Sequence, residues 1–82
     1  MNSGMEVKRM AYEYRKLMGR IVECCGTQAN FAKAMGLSER TVSLKMNNKI
    51  DFKQDEIKRA CEILDINAME IPAYFFTVMV QS

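Results

Sequence analysis

The 82-residue sequence has no histidine, a single proline, four glycines and three cysteines. Without histidine, Ser-His and Cys-His nucleophile chemistry and histidine-based metal sites are excluded. So little proline and glycine leaves few strand-and-turn signals, and a helical domain is the natural expectation. Three cysteines is an odd count. With no apolar leader between Met1 and Arg9, a disulfide framework is not expected. Cys24 and Cys25 are adjacent, too close for a zinc pair, and no second pair exists. Cys61 falls on an apolar helix face and reads as core. No glycine-rich phosphate loop is present. No apolar window approaches a membrane span. The expectation is a cytoplasmic chain with reduced thiols, no metal, no cofactor, no evident small-molecule ligand, no membrane contact and no enzymatic activity.

What is present fits one small domain. Apolar residues make up 49% of the chain, too many for a disordered one. The length is near the lower limit for an unassisted core, so a second copy would help stability. Eight methionines fit an adaptable core or interface rather than a cofactor box. The net charge of +2 conceals an asymmetry. Residues 1–50 carry nine Lys/Arg and four Asp/Glu, while residues 51–82 carry three and six. A basic first part points to an oriented electrostatic face, the alternative being a chance imbalance between solvated faces.

Hydrophobic spacing predicts five helices, near residues 12–25, 28–35, 39–46, 54–64 and 68–71. In the first, Tyr14, Leu17, Met18, Ile21, Val22 and Cys25 step by three and one, which is one helix face. Gly26 stops it. Thr27 is an N-cap for a short helix with Phe31, Ala32 and Met35 inward. Gly36 and Leu37 form a corner, with Leu37 plugging it into the core, and Ser38 caps the third helix, which Val42 anchors. Asn47-Asn48-Lys49 reads as its exit turn. Ile57, Ala60, Cys61 and Leu64 form the inner face of the fourth. Asp55 and Glu56 are placed favourably at its N-terminus without catalysis. The final run, Ala73 to Val80, is a short helix or extended chain, with Val78 to Val80 leaning towards strand. Residues 1–11 are expected as a disordered or extended arm, and residues 12–82 as the domain. Either Phe75 or Phe76 is expected to close the core. Tyr74, Phe76, Val78, Met79 and Val80 are expected to offer a dimer surface.

The stretch from Thr27 to Val42, with Thr-Gln-Ala-x-Phe-Ala followed by Met-Gly-Leu-Ser, resembles the helix-turn-helix of lambdoid phage repressors and Cro proteins. The resemblance extends to Tyr14–Ile21, Ser43–Lys49, Lys53–Ile57 and Ile71–Phe76. Over about residues 12–80 the chain looks like the small Cro- or repressor-like proteins of Gram-positive phages and prophages. One departure stands out. Where that pattern has an apolar anchor three residues after Val42, this chain has Lys45, with Met46 at the fourth place.

The resemblance implies an all-α, lambda-repressor-like bundle. It implies a sequence-specific transcriptional regulator that binds double-stranded DNA as a homodimer. Base contacts would come from Glu39, Arg40, Ser43 and Leu44, with Arg40 able to bond guanine in a bidentate way. Phosphate contacts would come from Gln28, Lys45, Asn47, Lys49 and Lys53. Gln28 and Glu39 also suit plain helix-end roles. The competing expectations are an antitoxin-like protein and a helix-turn-helix used for protein contact alone. An antitoxin normally carries a longer extension than Tyr74 to Ser82, and the outward Arg40 and Lys45 argue for DNA.

Overall fold

The computed structural model describes residues 11–79. Within them the chain is all-helical, with five α-helices. The first, α1, runs Arg15–Cys25. Leu17 and Ile21 are its buried positions, while Val22, expected on the same face, is 53% exposed. Gly26 ends α1 at φ 87°, its N–H returning to the Val22 carbonyl.

Helix α2, Gln28–Met35, begins where the Thr27 side chain accepts the Asn30 N–H at 3.0 Å. Phe31, Ala32 and Met35 all point inward. Gly36 takes the left-handed conformation at φ 73°, which a side chain would strain. The Leu37 N–H then reaches the Ala32 carbonyl at 2.9 Å, satisfying an otherwise orphaned helix-end acceptor. Leu37 itself is half-buried against the core. Ser38 caps α3, Glu39–Met46, by accepting the Thr41 N–H at 3.0 Å. The corner between α2 and α3 is therefore fixed at both ends by short-range bonds.

Helix α4, Gln54–Leu64, follows the exit loop, and its Glu56 carboxylate accepts the Lys53 N–H at 2.8 Å. A 3-10 turn, Ala68–Glu70, capped by Asn67, leads into α5, Ile71–Phe75. The sequence had suggested a helix ending at Ile71. Pro72 instead occupies the first turn of α5, where its missing N–H costs nothing.

The core gathers Leu17, Ile21, Phe31, Ala32, Met35, Val42, Ala60, Leu64, Ile66, Tyr74 and Phe75. Each large side chain among them contributes on the order of 1.5–3 kcal/mol by leaving water. Phe75 is the ring that closes the core, at 1% exposure, and Phe76 stays out at 46%. Tyr74, expected on a dimer surface, is 9% exposed and belongs to the core, with the Lys16 ammonium 4.7 Å from its ring centre. The reason is helical phase, since α5 turns Tyr74 and Phe75 inward together. Val78 and Met79 are exposed, and Val80 lies outside the described residues.

The α1 boundary also differs from expectation. Tyr12 is not helical but forms an antiparallel bridge with Val78. The Glu13 N–H donates to the Thr77 carbonyl at 2.7 Å, and the Met79 N–H to the Ala11 carbonyl at 2.9 Å. Of the expected N-terminal arm, Ala11 is thus held by the end of the chain, and residues 1–10 lie outside the described residues. Edge-to-face ring pairs join this strap to the core: Tyr12 with Phe76 at 5.6 Å, Tyr14 with Phe52 at 5.5 Å, and Phe52 with Phe75 at 5.4 Å.

Candidate nucleic-acid interface

The fixed corner presents the N-terminal half of α3 to solvent. Glu39 and Arg40 are exposed there, and Ser43 and Leu44 are half-buried. Ser38 caps the first turn by accepting the Thr41 N–H, so that donor is satisfied within the chain. Val42 is fully buried beneath it. Arg40, two positions before Val42, falls on the opposite, exposed side of the helix.

Ser43 and Asn47 come together with Gln28 of α2 and with Tyr14, Arg15 and Met18 from the start of α1, lining one shallow groove. Three residues expected to contact DNA therefore converge at a single place. Asn47 is partly committed, because its amide nitrogen donates to the Ser43 carbonyl at 2.8 Å. Arg15 was not among the expected contacts. It is exposed and lies 3.2 Å from the Glu13 carboxylate. Its basic neighbour Lys16 and its closeness to the motif were the available signals.

Lys45 does not belong to this surface. It was expected to grip phosphate, yet it is 2% exposed and buried beneath α3. Its ammonium lies 2.8 Å from the Glu56 carboxylate and donates to the Asp51 carbonyl at 2.9 Å. The apolar-anchor spacing three residues after Val42 is kept, with a lysine in the apolar place and an acid from α4 to neutralise it. Met46 is half-buried and packs against the core as well. Burial alone would push the Glu56 carboxyl up, but the Lys45 and Lys53 hydrogen bonds and charges outweigh it and hold it below its ordinary value.

Lys49 and Lys53 remain exposed on either side of the exit loop. The loop turns through Asn48 at φ 63°. Its amide accepts the Tyr12 N–H at 2.8 Å and donates to the Tyr12 carbonyl at 2.9 Å. The loop bearing Lys49 is thereby clamped to the strap. Elsewhere, Phe52, Ile57, Cys61, Ile66, Ile71 and Phe76 line a wider apolar groove along α4 that includes no residue of α3. Cys24 is exposed, Cys25 and Cys61 are half-buried, and burial raises both half-buried thiols above their ordinary value. Among the described residues no cluster of His, Cys, Asp or Glu could hold a metal, and no helix is long and apolar enough to cross a membrane.

Residues 10–78 match the family described as "Protein of unknown function (DUF739)". The chain belongs to that family. It is also similar to the solution structure of the modulator of repression of the temperate bacteriophage TP901-1 from Lactococcus lactis. The two are 57% identical, the match covers 88% of this chain and 97% of that one, and the TM-score is 0.75. No curated protein matches the sequence. Members of the family inherit no activity from its description, so the surface itself must carry the functional argument.

Proposed function

We propose that this protein modulates repression in a temperate phage or prophage by binding double-stranded DNA through a helix-turn-helix formed by α2 and α3. The observation that carries the reading is the corner itself. Gly36 and Ser38 lock α3 with its N-terminal half outward and Arg40 free to reach base edges. Cations at Arg15, Lys49 and Lys53 suit phosphate contact, and Gln28 and Ser43 line one shallow groove with Arg15. Kinship to a phage modulator of repression supports a role in the same kind of circuit. The action is occupancy of a DNA site in the cytoplasm and requires no catalytic residue. One module gives limited contact, so two copies on paired half-sites complete the reading.

A second reading is favoured by one feature. With Lys45 withdrawn, the outward part of α3 offers one acid, Glu39, and one base, Arg40. Such a balanced surface also suits a protein, and a modulator could act by covering a repressor. Selection of duplexes from a random pool separates the two. The DNA reading predicts an enriched sequence bound more tightly than scrambled duplex. The protein reading predicts no enrichment, with direct association between this chain and a phage repressor.

A further inference from the structure

Helix α3 packs chiefly against α2, with Val42 as its apolar anchor. The next inward position, three residues on, is Lys45. Its ammonium reaches across to α4 and is fixed by two bonds of defined direction, to the Glu56 carboxylate at 2.8 Å and to the Asp51 carbonyl at 2.9 Å. The same Glu56 oxygen accepts the Lys53 N–H, so the acid is itself held in place. Three residues along α4, the Arg59 guanidinium donates to the carbonyl of Met35, the last residue of α2, at 2.7 Å. Helix α4 thus grips both helices of the corner from behind, α2 through Arg59 and α3 through Glu56.

An apolar anchor stays buried over a range of helix rotations, because burial has no preferred direction. A buried ammonium has no such latitude. Turning α3 by about 20° about its axis moves a side-chain tip at the helix rim by about 2 Å. That shift breaks a hydrogen bond and leaves a charge unpaired in the core. Arg40, on the outer side of the same helix, would move as far, which is more than a precise polar contact tolerates. We infer that Lys45 is a positioning residue: through Glu56 and the Asp51 carbonyl it fixes the rotation of α3, and so sets which DNA sequence the outward side chains select. Lys45 itself touches no DNA. The pair supplies one defined orientation rather than stability, since two apolar side chains fill the same place without the cost of desolvating charge. The consequence for sequence choice rests on the DNA-binding reading, whereas the rotation is a property of the free protein.

The test compares the wild-type full chain with two paired variants. Lys45→Met with Glu56→Leu makes the tie apolar. Lys45→Leu with Glu56→Gln removes the tie but keeps an acceptor for the Lys53 N–H. Both should keep wild-type helicity by circular dichroism and unfold cooperatively. In amide NMR spectra, Glu39 to Met46 should give one sharp set of signals in wild type and broadened or doubled signals in both variants, with Leu17 and Ile21 of α1 unchanged. Titrated against a selected and a scrambled duplex, both variants should lose about tenfold in preference for the selected one, the discrimination of about one bidentate base contact, with affinity for scrambled DNA unchanged. Signals from α3 as sharp and single as in wild type, or an undiminished preference, would overturn the inference. Loss of folding in both variants would overturn it too, by making the pair a stabilising element. Should wild type select no duplex, the DNA-binding reading falls, and the NMR comparison still decides whether Lys45 holds α3 in one orientation.

Discussion

Lys45 and Glu56 form a buried ion pair, 2.8 Å between charged atoms, that ties the last turn of α3 to the first turn of α4. Neither side chain is more than 8% exposed. Losing one partner would strand the other charge out of water. Lys45→Ala is expected to destabilise the protein by about 3–5 kcal/mol, the usual cost of an orphaned buried charge. Replacing both, as Lys45→Met with Glu56→Leu, is expected to cost far less, because no charge then remains buried. Chemical denaturation of the single and double variants measures both. A Lys45→Ala variant as stable as wild type would place Lys45 back on the surface.

The same pair sets an acid limb. Glu56 is held below its ordinary value in the fold, so its contribution is complete above the unfolded carboxyl pKa of about 4.3. The contribution is lost as pH falls through the lower, folded value. Stability is therefore expected to drop below about pH 4, and Glu56→Gln should show a shallower drop from a lower starting point. Urea midpoints measured from neutral to acid pH give the comparison. Parallel acid limbs would assign the loss to other carboxylates.

Phe31 is fully buried at the centre of the core, between α2 and its neighbours. Truncation to alanine leaves a cavity that close packing cannot refill. The expected cost is about 3–5 kcal/mol in thermal or denaturant unfolding. A near-normal melting temperature would contradict its place in the core.

Asn48 bonds both backbone groups of Tyr12 from a left-handed position. Asn48→Ala removes both bonds and strains the turn, costing about 1–3 kcal/mol. It should also speed amide exchange at Tyr12, whose N–H loses its acceptor. Unchanged exchange at Tyr12 would show that the clamp does not hold in solution.

The helices were legible because their signals are local. Leu17 and Ile21 recur at helical spacing, and Thr27, Gly36 and Ser38 mark boundaries through bonds only a few residues long. What escaped depends on distant partners. Lys45 looked like a surface cation because nothing nearby in sequence announces that Glu56, eleven positions later, will be buried against it. Tyr12 was assigned to the first helix because its strand partner, Val78, lies at the other end of the chain. Tyr74 and Phe76 were grouped as one apolar surface, and only the phase of α5 separates the buried ring from the exposed one. The outward set Glu39, Arg40, Ser43 and Gln28 followed from the motif, whereas Arg15 enters the groove only through the packing of α1 against α2.

Arg40 carries the central claim of the proposed function, as the exposed base on the outward part of α3. The decisive measurement is titration of wild type, Arg40→Ala and Lys49→Ala against a selected duplex and a scrambled one, at several salt concentrations. Arg40→Ala is expected to cost roughly 1–3 kcal/mol on the selected duplex and to relax preference at one base pair, with little change on scrambled DNA. Lys49→Ala is expected to weaken both duplexes alike and to make the salt dependence shallower by about one phosphate contact. Equal losses on both duplexes for Arg40→Ala would make it a backbone clamp, and unchanged DNA binding by both variants would remove α3 from the DNA interface.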